Sequence, residues 1–518
     1  MMVATTLAAM AQTKPQLVVN IVLAGVNADE LSRYAHNLTG GGIAMLGGKG
    51  AVCSEARYDY QQTTVLAGAG TITTGTNPSM HGLISKYWID YTTSTPVSLI
   101  EDREVRGLGC DAGQSRYSHR HIVVPTLGDE LRQKSPESKV MTIAIDPLQA
   151  VAMGGRGETY WFNPSNGAWN SSSAYMTELP EWLVLFNKQN TASNHKRQKW
   201  TPILHHSRYS ARKYSTSTMH LPKEFKRVPM PESAIVSRDF TSLTYTPSAC
   251  DMTFEMARTA ITEAALGSDE ATDILTIGID ALAKIGGAFG MESIEREDAL
   301  YRLDAALGDF IKFTEHVCGE GKILWVLTSA NGTSSTKDES RLFNVGQFKV
   351  IINGFLSTQL GRGDWIVDCI DHQVYLNRVA IYSAGLNLAD IQNRVAAFAM
   401  QFRGVSHVLS ASAMQNGYFG ESYGRKIQNS FYPRRSGDLV LNLMPGWIEQ
   451  KGEEVASSGT MYDYDTHVPL IIAGCGIAPQ TIDDEINICS LAPTIGRLIG
   501  IGRPIACEAP IIEQIFAN

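Results

Sequence analysis

Short apolar runs alternate with longer amphipathic stretches along this chain. The first run, Leu17–Leu23, reads LVVNIVL and is rich in β-branched residues, which is typical of a buried parallel strand. Four further runs have the same character: residues 140–145, 274–279, 323–328 and 469–473. Amphipathic stretches such as residues 251–266 and 295–317 lie between them and predict helices. The pattern predicts an α/β fold with a mostly parallel central sheet flanked by helices, whose functional groups lie at the carboxyl ends of the strands.

Two segments interrupt this alternation and predict inserted subdomains. Residues 155–245 are rich in polar, aromatic and basic side chains, with HKRQK at 195–199, and predict a cap. Residues 340–435 have a strand and helix pattern of their own, which predicts an α+β subdomain. The predicted division is therefore 1–11 (a signal-peptide remnant), 12–154 (core), 155–245 (cap), 246–339 (core), 340–435 (α+β subdomain) and 436–518 (core).

The net charge and the lengths of the apolar runs indicate which partners to expect. The 518 residues carry a net charge of -8, so a nucleic-acid partner is not expected. No apolar run approaches the roughly 20 residues that a transmembrane helix needs. The basic stretch at 195–199 and the pair His205–His206 are compatible with an anionic partner, but a solvated cap surface is the simpler interpretation.

The first residues predict export from the cytoplasm. Residues 1–12 are apolar and contain Ala9-Met10-Ala11, a small-x-small pattern that resembles a signal-peptide cleavage site. Cleavage there would leave a mature chain that begins at Gln12. An ordinary frayed terminus is the alternative. The eight cysteines form no CxxC pair, and their even number fits an oxidising compartment. We therefore expect a periplasmic or secreted protein.

Seven motifs in order carry a resemblance to a known family. YDY at 58–60 precedes GTITTGTNPSMHG at 70–82, and the long segment at 159–182 reads TYWFNPSNGAWNSSSAYMTELPEW. The remaining motifs are FGMESIEREDALYRLD at 289–304, VLTSANG at 326–332, RRSGDLVL at 434–441 and YDYDTHVPLIIAG at 462–474. Together they resemble the alkaline phosphatase superfamily, in particular the monomeric, phosphate-irrepressible flavobacterial type and the nucleotide pyrophosphatase/phosphodiesterase group.

This resemblance implies a site with two zinc ions, held by Asp and His side chains at strand ends, that hydrolyses phosphomonoesters or phosphodiesters. Matching the motifs shows that most of the implied residues are replaced. The zinc-ligand positions hold Ala24, Ala283, Gly287, Ala330 and Asn331, the nucleophile position holds Gly70, and the phosphate-binding positions hold Lys86, Asp146 and Leu148. Only the ligand position at His467 keeps the residue of the family motif. Thr71 is adjacent to the nucleophile position, but no base or metal is placed to activate it.

These replacements lead to three hypotheses. The first is a catalytically inactive, metal-free pseudophosphatase that acts as an envelope binding or scaffold protein, with an unknown protein or ligand as partner. The second is a phosphoester or sulfoester hydrolase with a non-standard, metal-poor active site. The third is a structural subunit of an envelope complex. The sequence favours the first and the third over the second, because a lone His467 is too few ligands for zinc and the small replacements leave no unpaired buried carboxylates. It does not separate the first from the third.

Overall fold

The computed structural model describes residues 13–38, 40–198, 200–210, 239–335, 341–450 and 456–516. The predicted signal-peptide remnant, residues 1–11, and residues 211–238 of the predicted cap lie outside this part. The strands are β1 (Leu17–Leu23), β2 (Gly50–Arg57), β3 (Tyr87–Asp90), β4 (Thr95–Ser98), β5 (Gly107–Leu108), β6 (Val140–Ala144), β7 (Glu158–Asn163), β8 (Ala168–Ser172), β9 (Asp273–Ile279), β10 (Ile323–Ser329), β11 (Ser334–Ser335), β12 (Leu342–Phe343), β13 (Ile366–Ile370), β14 (Gln373–Leu376), β15 (Val405–Ser410), β16 (Leu439–Leu443), β17 (Ile448–Glu449), β18 (Ala456–Ser457), β19 (Leu470–Ala473) and β20 (Gln480–Asn487).

Helices connect most of these strands. They are α1 (Ala28–Tyr34), α2 (Gly42–Lys49), α3 (Val65–Thr74), α4 (Pro78–His81), α5 (Leu127–Lys134), α6 (Pro147–Gly154), α7 (Glu181–Lys188), α8 (Thr191–Lys196), α9 (Ser248–Glu263), α10 (Ala281–Phe289), α11 (Ile294–Cys318), α12 (Val345–Leu360), α13 (Arg378–Ser383), α14 (Leu388–Ala399), α15 (Ala411–Asn416), α16 (Tyr423–Ser430), α17 (Asp463–Thr466) and α18 (Leu491–Leu498).

A ten-stranded sheet forms the centre of the fold and confirms the predicted α/β class. Its strand order is β20-β2-β19-β10-β1-β9-β6-β7-β8-β5. The middle strand β1 runs parallel to both neighbours, and its last residue Leu23 pairs with Ile279 of β9 and Ser329 of β10. The three strands therefore end at the same level. The sheet is mixed, because β19 runs antiparallel to both β10 and β2.

Helices cover both faces of this sheet because its central strands are apolar on both sides. Successive side chains of a strand point to opposite faces. Leu17, Val19 and Ile21 of β1 belong to one core, together with apolar residues of α9 and α11. Val18 and Val22 belong to the second core, which includes residues of α3 and α6. This double burial is the reason why the strand reads as one continuous apolar run.

A second, four-stranded sheet has the order β13-β14-β16-β15 and its own hydrophobic core. Apolar residues of α12 and α14 pack in that core. Its strand β16 lies beyond residue 435, and β7 and β8, from the predicted cap, belong to the large sheet. The domain boundaries drawn from the sequence remain a prediction, and the two sheets draw on segments from either side of them.

A buried ion pair fixes the chain where β1 leaves the large sheet. Arg296, on α11, has no exposed surface, and its Nε and Nη2 donate to the two carboxylate oxygens of Glu30 over 2.8 and 2.7 Å. Nη2 also donates to the carbonyl oxygen of Gly25 over 2.7 Å. Bidentate pairing of this kind is both strong and directional. It ties the turn after β1 to helix α11.

We predict that Arg296→Met lowers the free energy of unfolding by about 3–5 kcal/mol, because it leaves the Glu30 carboxylate buried without a partner. Denaturant titration measures this change. Lys312→Met on the same helix is the matched control, since Lys312 is 63% exposed, and it should change stability by less than about 0.5 kcal/mol. Equal effects of the two substitutions would show that the ion pair does not hold the turn.

Candidate active site

The ends of β1, β9 and β10 meet at one edge of the sheet, where the sequence predicted the site. Ala24 and Ala330, at two implied ligand positions, are both fully buried there. The amide of Ala24 donates to the carbonyl of Ile279 over 2.9 Å, and that of Ala330 donates to the carbonyl of Leu23 over 2.8 Å. These residues continue the strand pairing past the ends of the strands. We call the buried backbone of Ala24 and Ala330, with the adjoining Asn331, the floor of the site.

Asn331 uses its side chain to hold this floor together. Its Oδ1 accepts from the amide of Gly25 over 3.3 Å, and its Nδ2 donates to the carbonyl of Gly332 over 2.6 Å. Its carbonyl oxygen accepts from the amide of Val26 over 3.1 Å. The residue is almost completely buried. Its polar atoms therefore serve the backbone of the adjoining turns.

The turn after β1 packs directly against α10. Gly25 has a φ of +70°, and a Cβ placed on it would lie 2.9 Å from the Cβ of Ala283 and 2.7 Å from Oγ1 of Thr333. A larger side chain at Gly25 or Ala283 would push the turn after β1 away from α10. Gly287, one turn further along α10, is also buried. The edge is thus closed by small residues in direct contact.

Helix α3 presents its small residues to the same region. A Cβ placed on Gly70 would lie 2.6 Å from Cδ1 of Leu83 and 2.9 Å from Cε1 of His81. A Cβ on Gly68 would lie 1.7 Å from the carbonyl oxygen of Ala330. The helix therefore approaches β10 and α4 as closely as backbones allow, and Gly70 offers no nucleophile.

Thr71, beside that position, is part of a buried hydrogen-bond chain. Nδ1 of His81 accepts from the amide of Leu83 over 3.1 Å, so Nε2 carries the proton of the neutral ring. This Nε2 lies 3.3 Å from Oγ1 of Thr71, which donates in turn to the hydroxyl of Tyr60. Burial lowers the pKa of His81 to about 3. His81 thus donates to Thr71 and is unsuited to take its proton, which argues against Thr71 as a nucleophile.

His467 is hydrogen-bonded within the protein. Its Nε2 lies 2.7 Å from the carbonyl oxygen of Ser54, which can only accept, so Nε2 is protonated. Its Nδ1 lies 3.7 Å from Oδ1 of the exposed Asp29. A catalytic zinc takes about three protein ligands. Across the residues that the structure describes, no group of three or more His, Cys, Asp or Glu side chains is arranged to hold a metal, so this donor set does not fit the implied zinc pair.

Three charged residues lie next to this floor, and we call them the lysine–aspartate cluster: Asp146, Asp280 and Lys284. Asp280 follows β9 directly, and Nζ of Lys284, one helical turn later, lies 2.5 Å from its Oδ2. The Asp280 side chain is 5% exposed, whereas that of Lys284 is 26% exposed. Asp146 follows the neighbouring strand β6 and caps α6, with its Oδ1 accepting from the amide of Leu148 over 2.8 Å. Parallel pairing of β6 with β9 puts both strand ends at the same edge.

The three charges act on one another. Burial raises the pKa of Asp280, with Lys284 opposing and Asp146 reinforcing that rise. Burial lowers the pKa of Lys284, but attraction to Asp280 and Asp146 outweighs it and leaves the pKa above its usual value. Oδ1 of Asp280 accepts no hydrogen bond from any residue in the described ranges. The cluster therefore holds a firmly protonated ammonium at the edge of the sheet.

Asp280 lies three residues before the implied ligand position at Ala283, so motif matching left it without a role, and Lys284 was missed. Their spacing of four residues is the signal that could have linked them, because residues i and i+4 of a helix are neighbours. The side chains of the other two predicted phosphate-site residues make different contacts. Lys86 is exposed, with its Nζ 5.6 Å from the ring centroid of Tyr87, and Leu148 packs against the second core.

The sequence and the fold of this chain match those of known proteins. The family model described as type I phosphodiesterase / nucleotide pyrophosphatase matches residues 18–467. The chain belongs to this family. Alkaline phosphatase PhoV of Synechococcus elongatus is 26% identical over 97% of this chain and 93% of its own length. Alkaline phosphatase PafA of Elizabethkingia meningoseptica is 26% identical over 97% of this chain and 95% of its own length. A crystal structure of wild-type PafA superposes with a TM-score of 0.92 at 25% identity, covering 97% of this chain and 99% of that one.

These findings correct the first hypothesis from the sequence. A near full-length likeness to proteins named alkaline phosphatases contradicts the interpretation of this family member as an inactive, metal-free pseudophosphatase, and favours the alternative of a phosphoester hydrolase. The assignment of Ala24, Gly70, Asp146 and the other residues to family positions is not tested by the likeness and stays a prediction. The resemblance to the superfamily and the α/β fold are confirmed.

The remaining sequence predictions concern the cap, the thiols and the membrane. His195 is buried with its Nε2 3.0 Å from Glu255, and Nδ1 of His205 lies 2.8 Å from the hydroxyl of Ser207. Lys199 and the side chain of His206 lie outside the described residues. The eight cysteines are free thiols. Within the ranges that the structure covers, no helix is long and apolar enough to cross a membrane.

Asp465, two residues before His467, is a buried carboxyl with a strongly altered pKa. Its Oδ2 accepts from the amide of Thr460 over 2.9 Å and from the Thr460 hydroxyl over 2.6 Å. Burial raises its pKa to about 8, against the opposing effect of these hydrogen bonds. The folded protein therefore holds a proton here that the unfolded chain releases near pH 4.

We predict that this carboxyl makes the protein less stable as pH rises from about 4 to about 8, by up to about 1.4 kcal/mol per pH unit, because the folded state binds more protons than the unfolded state. Asp465→Asn keeps an acceptor for Thr460 and should flatten this slope, so that the variant is more stable than wild type at high pH. Denaturant titrations across pH measure it. Asp463→Asn, whose side chain is 74% exposed, should keep the wild-type slope. An unchanged slope in Asp465→Asn would contradict the assignment.

Proposed function

We propose that this protein hydrolyses phosphoesters at the edge of the large sheet, with Lys284 as the residue that binds the phosphoryl group. The observation that carries the proposal is the correspondence over 97% of the chain with proteins named alkaline phosphatases, in sequence and in fold. Since the residues at the implied ligand positions do not fit a zinc pair, the chemistry must draw on other groups at this edge. The lysine–aspartate cluster lies beside the floor and, unlike the fully buried Arg296, its lysine is partly exposed.

Lys284 has the properties that a phosphoryl-binding residue needs. Its side chain is 26% exposed, and the buried carboxylate of Asp280, 2.5 Å from Nζ, fixes the position of the ammonium. A cation that is already oriented stabilises the negative charge that develops on the phosphoryl oxygens as the ester bond breaks, without reorganisation. Lys284 would hold these oxygens, and Asp280 would act as a positioning residue for the ammonium.

We also propose that the protein works outside the cytoplasm, in the periplasm or in the medium. The cleavage pattern at Ala9-Met10-Ala11 supports export. The ligand in this proposal is a small phosphoester, and the proposal requires no protein partner.

We expect the purified chain to hydrolyse 4-nitrophenyl phosphate or bis(4-nitrophenyl) phosphate above the buffer background, tested without and with added divalent metals. Lys284→Met should lower kcat/KM by about 100-fold, because one preorganised charge contact is lost from the transition state. Lys312→Met removes an exposed lysine of the same size and should leave kcat/KM unchanged. Release of 4-nitrophenolate gives the rate.

The single variant also leaves Asp280 buried without its partner, which costs stability. The double variant Asp280→Asn/Lys284→Met removes the lysine without leaving that charge, and it should be as inactive as the single variant while remaining folded. No turnover of either ester under any metal condition would refute the proposed hydrolase. Wild-type rates in a folded Lys284→Met would refute the role of the lysine.

A further inference from the structure

The lysine–aspartate cluster contains one ammonium and two carboxyl groups. Asp280 lies against Lys284, and Asp146, which follows the neighbouring strand β6, acts on Lys284 electrostatically. Tyr245 also lies within electrostatic range of Lys284, and Tyr117 lies within that of Asp146. An incoming ester therefore meets a positive charge whose field is offset by nearby negative charge.

Asp146 is held in place rather than free to turn away. Its Oδ1 accepts from the amide of Leu148 as the N-cap of α6. Its charge acts on Asp280 and Lys284 at the start of α10 and on Tyr117 in a separate segment of the chain. Because β6 and β9 pair in parallel, the carboxylate lies at the same edge of the sheet as the ammonium that would hold the phosphoryl group, and within its electrostatic range.

We infer that Asp146 is a specificity-determining residue that selects against doubly charged esters in favour of singly charged ones. The inference rests on the proposed function. A carboxylate repels a dianion about twice as strongly as a monoanion at the same distance, and partial burial enlarges the difference. Phosphomonoesters carry two negative charges above a pH of about 6, whereas diesters and sulfate esters carry one.

The positive charge of Lys86 does not cancel the repulsion between Asp146 and a doubly charged ester. Lys86 is exposed and lies over the ring of Tyr87, not on the carboxylate of Asp146. Water and salt screen an exposed charge of this kind far more than they screen the partly buried cluster. The balance of charge near the phosphoryl group is therefore set by Asp146, Asp280 and Lys284.

Asp146→Asn tests the inference, because asparagine caps a helix as well as aspartate does and keeps the hydrogen bond to Leu148. The substrates are 4-nitrophenyl phosphate, methyl 4-nitrophenyl phosphate and 4-nitrophenyl sulfate, at a pH of about 8 where the first is a dianion. Wild type should favour the singly charged esters. The variant should raise kcat/KM for the dianion by about tenfold and that for the singly charged esters by about threefold, because the repulsion energy on a single charge is half as large. Asp309→Asn, at a side chain that is 73% exposed, should leave the ratio unchanged.

A second readout does not depend on turnover. Phenyl phosphate and diphenyl phosphate differ in charge, and their binding is measured by calorimetric titration. Asp146→Asn should tighten the binding of phenyl phosphate by about tenfold and that of diphenyl phosphate by about threefold. If this shift occurs without hydrolysis, the proposed function fails and the charge selection stands. Equal changes for both charge classes, no change for either, or a wild type that prefers the dianion would overturn the inference.

Discussion

The buried ion pair between Arg296 and Glu30 is the interaction on which the geometry of the site depends. It joins α11 to the first turn of α1 and, through the carbonyl of Gly25, to the turn that leaves β1. Two charges this deeply buried are favourable only when their hydrogen bonds are satisfied in good geometry. The bidentate contact largely meets that condition. Because β1 pairs in register with β9 and β10, fixing its end also fixes the level at which the neighbouring strands end.

That edge is built from small residues and backbone hydrogen bonds. Ala24, Ala283 and Ala330 allow the turns to touch, and Asn331 bonds to the backbone around it. The charged residues lie beside these small residues: Asp280 and Lys284 follow β9, and Asp146 follows β6. The edge therefore retains charged groups at the carboxyl ends of parallel strands, which is where α/β folds bind their ligands. Of these groups, Asp280 and Lys284 lie at positions that the family resemblance does not imply.

Much of the fold could be predicted from the sequence, because strands buried on both faces read as continuous apolar runs. The antiparallel direction of β19 could not, since an apolar run such as LIIA has no direction in its pattern. The membership of β7 and β8 in the large sheet was also hidden, because their polar and aromatic residues resemble a cap. These features depend on pairing between distant segments, which local patterns do not encode.

The site was harder to predict than the fold. The motifs predict that most zinc ligands are replaced, but the loss of one set of groups does not show that a protein lacks chemistry. The inference of an inactive chain went beyond the residues, and the likeness to named phosphatases contradicts it. Lys284 was missed because a lysine four residues after an aspartate is common on solvated helices. Only the burial of Asp280 distinguishes this pair from an ordinary surface contact.

The central claim is that the ammonium of Lys284 receives the phosphoryl group. A crystal structure with bound tungstate or vanadate, oxyanions that stand in for the phosphoryl group, tests it most directly. We expect the oxyanion at the edge of the sheet, with one oxygen within about 3 Å of Nζ of Lys284. An oxyanion bound beside His467 and away from Lys284, or no binding at this edge, would contradict the account.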